Sequence, residues 1–216
     1  PLGGEVTCPR PELVCILQTV APATDAGIVA AHRTTLDTTG LGRLPVLVVC
    51  SGMARSGSTL QYNLACEMAE ITGRGGSVGP SIFDDSSSDV VDDLARDEKL
   101  HVVKQHDVWP DMIQRIQRDD PGVRICYIYR DLRDVAVSMR NKWPLSWEAV
   151  IQKLDEAVAT FEIVHEARTS AAVLWQRYED VTADLPAATR DVADFLGLRL
   201  EADMVARIAE GASVEA

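Results

Sequence analysis

The chain has 216 residues, a net charge of −12, 46% apolar and 25% charged residues. That is enough for one domain with a substantial core, and the acidic balance argues against broad binding to nucleic acid or anionic membranes. No apolar run approaches a membrane span, no secretory signal pattern is present, and five cysteines lack the spacing of a disulfide framework or zinc site. A single domain over 1–216 in a reducing cytoplasm is therefore the expectation.

In chain order, Pro1-Leu2-Gly3 reads as a cloning remnant, and 1–45 yields no firm element; Leu13 to Val20 fits a strand or a short helix. Val46 to Cys50 is a short β-branched run, the pattern of a buried parallel strand. Leu60, Leu64, Met68 and Ile71 then repeat at helical spacing. Gly73 to Gly79 reads as a loop, and the acidic, serine-rich Asp84 to Asp93 as a solvated helix start. Leu100 to Lys104 is a second strand, and Met112, Ile113 and Ile116 mark a helix ending before Asp119. Val123 to Tyr129 is a third strand, followed by a helix from Asp131 through Arg140 and a longer one over Trp147 to Ala167. Ala172 to Trp175 is a fourth strand; Ala187 to Leu196 is a helix closed by Gly197. The alternation predicts an α/β fold with a mainly parallel central sheet, helices on both faces and a P-loop NTPase-like three-layer architecture. Cys50 and Cys126 fall in apolar strand runs and read as core residues.

The stretch Val46 to Ile71 carries the chemistry. A strand feeding a glycine-bearing loop that opens a helix makes an anion cradle of backbone N–H groups and the positive end of the helix dipole. Gly52 and Gly57 have the spacing of a Walker A loop, and Thr59 stands where its last hydroxyl belongs. Ser58, however, occupies the place of the Walker lysine, and the nearest cation is Arg55. The cradle should therefore suit a shorter phosphate group than a nucleoside triphosphate, with Arg55 supplying charge. Lys104, His106 and Arg130 follow predicted strands, at the carboxyl ends where such sheets bind ligands.

Three blocks in this order resemble the sulfotransferase family, whose members move a sulfuryl group from 3′-phosphoadenosine 5′-phosphosulfate (PAPS) to a hydroxyl or amine. Ala54 to Leu60, A-R-S-G-S-T-L, is similar to the family's 5′-phosphosulfate loop, in the form with arginine where cytosolic members carry lysine. Lys104-Gln105-His106 resembles its K-x-H, and Tyr129 to Met139, Y-R-D-L-R-D-V-A-V-S-M, its 3′-phosphate block. A weaker echo lies in Arg177-Tyr178-Glu179-Asp180 and the later Phe195 to Leu198.

The resemblance implies that Arg55, Ser56, Gly57, Ser58 and Thr59 hold the 5′-phosphosulfate. It places Arg130 and Ser138 on the 3′-phosphate and Tyr178 among the cofactor-binding residues. Arginine suits a phosphate because its fork donates two parallel hydrogen bonds; the alternative for Arg130 is an ion pair with Asp131 or Asp134. Ser138 lies about two turns into its helix, so only the family pattern puts it at the site. Arg55 and Lys104 would neutralise the leaving 5′-phosphate and His106 would be the general base, with Asp84 or Asp85 as the second choice. Taken alone, His106 reads as a surface or capping histidine. PAPS is then the co-substrate, 3′-phosphoadenosine 5′-phosphate (PAP) the product, and no metal is required. A carbohydrate, natural-product or peptide acceptor is favoured over a simple phenol. The family's glycine-rich basic closing segment has no counterpart, so Gly73 to Gly79 becomes a candidate to complete the 3′ side. Trp109, Trp143 and Trp147 are candidates for an acceptor pocket, with core or hinge packing expected for at least two. Two other classes compete: a P-loop kinase, disfavoured by the missing lysine, and a catalytically silent nucleotide-binding domain.

Overall fold

The computed structural model describes residues 47–78, 93–94, 99–106, 108, 110–118, 122–167 and 169–214. Readings placed on 1–46, on Asp84 to Asp92, and on Trp109 lie outside them. Five strands, β1 (Leu47–Gly52), β2 (Gly75–Ser77), β3 (Leu100–Lys104), β4 (Val123–Tyr129) and β5 (Val173–Arg177), form one sheet in the order β2-β3-β1-β4-β5. Every pairing is parallel. Seven helices are described: α1 (Ser58–Ile71), α2 (Pro110–Gln117), α3 (Leu132–Lys142), α4 (Trp147–Glu166), α5 (Tyr178–Ala183), α6 (Leu185–Phe195) and α7 (Ala202–Val214).

The two-residue strand period sorts the sheet into two cores. Val48, Cys50, Val102, Cys126 and Ile128 face one side, where Leu60, Leu64 and Met68 of α1 meet Val192 of α6 and Ile208 of α7. Leu47, Val49, Val103, Ile125 and Tyr127 face the other, against Met112, Ile113 and Ile116 of α2 and Val164 of α4. Each fully buried leucine or valine contributes roughly 1.5–3 kcal/mol. The two faces together give the expected three-layer α/β architecture. Cys50 and Cys126 are free, buried thiols paired across β1 and β4, as expected of core residues. A third cluster, Val135, Met139 and Val150, joins α3 to α4, and Ala54 of the loop after β1 packs on it.

Some features go beyond or depart from the sequence reading. Gly75–Ser77 is an edge strand rather than part of a loop, paired with Leu100 to Val102 at the start of β3. Since β3 and β1 separate it from β4, it stands on the wrong side of the sheet to complete a 3′-phosphate site at Arg130. Helix α7 lies beyond the last helix that the sequence predicts, its Val205, Ile208 and Ala209 buried. Of the three tryptophans read as acceptor-pocket candidates, with core or hinge packing expected for at least two, Trp143 and Trp147 are 39% and 53% exposed. They flank the α3–α4 junction, where each indole meets an arginine: Arg55 for Trp143 and Arg140 for Trp147. No described helix is long and apolar enough to cross a membrane.

Candidate active site

From β1 the chain crosses to β2 on one side, and from β4 it continues to β5 on the other, so a crevice opens at the carboxyl ends of β1 and β4. Gly52 closes β1 against β4: a Cβ there would meet the Ile128 carbonyl oxygen at 2.2 Å. The chain then turns through two left-handed residues, Arg55 (φ 66°) and Gly57 (φ 97°). For glycine this costs nothing; for arginine it costs about 1–2 kcal/mol. Strain of this kind survives where the surroundings over-determine it, and Ser56 supplies that restraint. Its N–H donates to the Met53 carbonyl (3.0 Å), and its buried hydroxyl is shared between the carbonyls of Met53 (2.6 Å) and Ile128 (2.9 Å).

Helix α1 begins without a side-chain cap on Gly57 and with no acidic residue in its first turn. Its leading amides and dipole therefore meet the crevice unneutralised. Ser58 is buried and Thr59 exposed. Two cations converge on this end. Lys104, the last residue of β3, donates from Nζ to Thr59 Oγ1 at 2.8 Å. Partial burial, and then the nearby Arg55 charge, push the Lys104 ammonium below the usual lysine range. Arg55 donates from Nε to Ser138 Oγ at 3.1 Å. Arg55 and Ser138 are 83 positions apart, yet they belong to one constellation, which spacing along α3 did not reveal.

Arg130 leaves the end of β4 with its guanidinium carbon 4.3 Å from the centre of the Tyr178 ring. Its polar contacts are long: 3.5 Å from Nη1 to the Arg55 carbonyl and 3.8 Å from Nη2 to Asp134. Its Nε is buried without a hydrogen-bond partner. The ion pair with Asp134 anticipated as the alternative is thus present but weak, and Asp131 is engaged elsewhere. Asp131 caps α3 through the Arg133 N–H and pairs with the Arg133 guanidinium, which holds its carboxyl down at about 2.

His106 is exposed just past β3, and its Nδ1 lies 3.2 Å from the Gly52 carbonyl oxygen. A carbonyl can only accept, so Nδ1 carries a proton, and in the tautomer this selects Nε2 is the acceptor nitrogen. The His106 carbonyl in turn accepts from Ser51 Oγ at 3.2 Å.

Two hydrogen-bonded pairs, Arg55 with Ser138 and Lys104 with Thr59, thus meet at the loop, with Arg130 and Tyr178 in contact beside it through the Arg55 carbonyl and Gly57. Ser56 faces inward as a brace. Sequence reasoning missed Ser51 and the Gly52 carbonyl, which orient His106; a buried serine closing an apolar strand was the available signal. It also missed that Trp143 stands 5.9 Å from the Arg55 guanidinium carbon. Among the described residues, no group of three or more His, Cys, Asp or Glu side chains comes together as a metal site.

These features define a P-loop-like anion cradle paired with a second cationic pocket. The chain belongs to the sulfotransferase domain family, which matches residues 16–216. Among solved structures it resembles mouse sulfotransferase SULT7A1 complexed with PAP (TM-score 0.59, 20% identity, covering 80% of this chain and 65% of that one). It also resembles retinol dehydratase complexed with androsterone and the inactive cofactor PAP (0.56, 19%, 80% and 65%). A third likeness is to retinol dehydratase with retinol and PAP (0.54, 19%, 77% and 64%). At these identities the likeness is one of fold, and the chain spans just under two thirds of the length of each. No curated protein sequence matches.

Proposed function

We propose that the protein is a PAPS-dependent sulfotransferase. The observation that carries this reading is the convergence of two separate cationic pockets on one crevice, the second holding a buried guanidinium nitrogen with no partner. PAPS has anionic groups at both ends of its nucleoside, and the two pockets suit that charge distribution. The uncapped start of α1, with Ser58 and Thr59, would receive the 5′-phosphosulfate; Gly57 lets the chain turn there, and Ser56 holds the loop from within. Arg130 and Ser138 would receive the 3′-phosphate, with Tyr178 beside Arg130.

Sulfuryl transfer needs in-line positioning and stabilisation of the departing oxygen. As the acceptor oxygen bonds to sulfur and the sulfur–oxygen bond to the 5′-phosphate breaks, negative charge grows on the phosphate. Lys104 and Arg55 are placed at the cradle to neutralise it. His106 takes the acceptor proton on Nε2, and PAP and the sulfated acceptor leave. The exposed Trp143 beside Arg55 fits an acceptor with an apolar ring face, in keeping with the carbohydrate, natural-product or peptide classes. Nothing in this scheme needs a metal.

Calorimetric titration with PAP, AMP and magnesium-ATP tests the reading. PAP is expected to bind at least tenfold more tightly than AMP, about 1.4 kcal/mol from the 3′-phosphate, and Arg130→Ala should bring PAP down to the AMP level. Equal affinities, or a preference for ATP, would overturn the assignment. Tight PAP binding with no transfer across an acceptor panel would mark a silent binding domain.

A pH profile adds a second check. The lowered Lys104 pKa means that its positive charge is lost at lower pH than for an ordinary lysine. The kcat/KM for PAPS, which reports the free enzyme, should therefore fall on the alkaline side earlier than an unperturbed lysine would make it. Lys104→Arg should move that limb to higher pH, because a guanidinium stays charged there.

A further inference from the structure

We propose that Arg140 is a specificity residue for the acceptor, selecting a ring-bearing acceptor that carries a carboxylate. This rests on the sulfotransferase reading above and narrows the substrate class of the same crevice. Arg140 lies in the last turn of α3, and Trp147, the ring it covers, is the first residue of α4.

The link between these helices is tightly bonded. The Trp143 N–H donates to the Met139 carbonyl at 2.9 Å, and the Leu145 N–H to the Trp143 carbonyl at 2.8 Å. Arg140 Nη1 spans the turn to the Leu145 carbonyl at 2.6 Å. The Ser146 hydroxyl caps α4 by accepting from the Ala149 N–H at 3.3 Å. Trp143 and Trp147 are therefore exposed on backbone that has little freedom to fold them away. Large rings presented on a rigid support form a surface for another ring. That surface starts at the cradle, because Trp143 stands 5.9 Å from the Arg55 guanidinium carbon.

The charge at this junction runs against that of the chain. The net charge is −12, yet α3 ends in Arg140 and Lys142, and the ion pairs among the described residues involve neither. Glu148, beside Trp147, is turned into the first turn of α4, where its own N–H and Ser146 hold its carboxyl below the usual range. A place in the last turn suits the α3 dipole, but the dipole calls for no indole under the guanidinium. The Arg140 guanidinium carbon lies 4.9 Å from the centre of the Trp147 ring. The stack uses the face of the fork, and the bond to Leu145 uses one of its five N–H donors. The fork is thus held in place with donors left for a carboxylate, which it can grip in parallel. A ligand ring laid on the exposed indoles brings its carboxylate to that fork.

The test is calorimetric binding to the PAP-loaded protein of two matched pairs. One is methylumbelliferyl glucuronide against the glucoside; the other is p-hydroxyphenylpropionate against its methyl ester. In at least one pair the carboxylate should bind roughly fivefold more tightly, the scale of an exposed charge pair. The pair that responds tells a sugar acid from an aromatic acid. That preference should shrink as salt rises. Arg140→Gln keeps a donor for the Leu145 carbonyl but no charge, and should bring the ratio within about twofold of unity without changing the affinity of the neutral member. Trp147→Ala should instead weaken both members alike. PAP affinity should stay within about twofold of wild type in both variants, and thermal denaturation checks folding.

Equal affinities within both wild-type pairs, or no binding of any of these ligands, would overturn the proposal. So would a preference that survives Arg140→Gln or is lost in Lys142→Gln instead. Each of these outcomes leaves the PAPS site standing as long as PAP binds more tightly than AMP. No PAP preference in the wild type would remove the sulfotransferase reading, and this proposal with it.

Discussion

Replacing His106 by alanine is expected to leave PAP affinity within about twofold while lowering turnover by roughly 10²–10⁴-fold, the range for loss of a general base. The separation follows from position. His106 is not among the groups that converge on the cradle; it stands on the next strand end, its ring turned by the Gly52 carbonyl so that Nε2 is the acceptor nitrogen. His106→Gln can keep a donor toward that carbonyl but has no basic nitrogen, and should be as inactive as alanine. Single-turnover rates measured beside PAP titration separate the two quantities. Retained turnover in His106→Ala together with its loss in Asp85→Asn would transfer the role to the carboxylate.

The parts of this site that were legible in the sequence are those encoded locally. Leu100–Lys104 and Val123–Tyr129 appear with their expected bounds because β-branched, apolar runs between polar turns have little alternative to a buried strand. Since both end at carboxyl edges of a parallel sheet, Lys104 and Arg130 could be placed at the crevice before any geometry was known. Gly75–Ser77 was illegible because two glycines and a serine have no strand propensity. Pairing with β3 makes them a strand, and the close approach of Gly75 to the Leu100 carbonyl, where a Cβ would stand 2.0 Å away, needs a glycine. The short α5 was hidden for a similar reason, six residues being too few for a helical repeat to show.

Tertiary approach was the larger gap. In the sequence the two groups proposed to bind phosphate form separate sets, one on the loop and one on β4 and α3. Packing of Ala54 on the α3–α4 cluster brings the loop to α3, and Arg55 reaches Ser138 as a result. Spacing along the helix gives Ser138 no role; its meaning lies in a partner far away in sequence. The same holds for Tyr178, whose contacts with Gly57 and Arg130 no local pattern encodes.

Gly52→Ala is expected to cost about 3 kcal/mol or more, at the upper end of what forced overpacking does. For a domain of this size that corresponds to a fall in Tm of roughly 6–12 °C. The collision is with the backbone: the new methyl would stand 2.2 Å from the Ile128 carbonyl oxygen, with the Ile128 Cγ2 at 2.9 Å and Ser56 Oγ at 3.0 Å close behind. A side chain could rotate away, but Ile128 is the β4 partner of Gly52 in the sheet register, so relief requires parting the two central strands. Gly73→Ala is the control. Its φ of 64° is left-handed, yet a Cβ there meets nothing within 4 Å, so only the conformational term of about 1 kcal/mol applies. Thermal denaturation of the two variants separates collision from backbone preference, and equal losses would show that the close approach at Gly52 is not what the residue is for. The same substitution bears on catalysis, because the Gly52 carbonyl orients His106 and the Ile128 carbonyl holds Ser56. Parting β1 from β4 displaces both His106, the proposed base, and the cradle, so whatever fraction of Gly52→Ala remains folded should turn over more slowly than wild type.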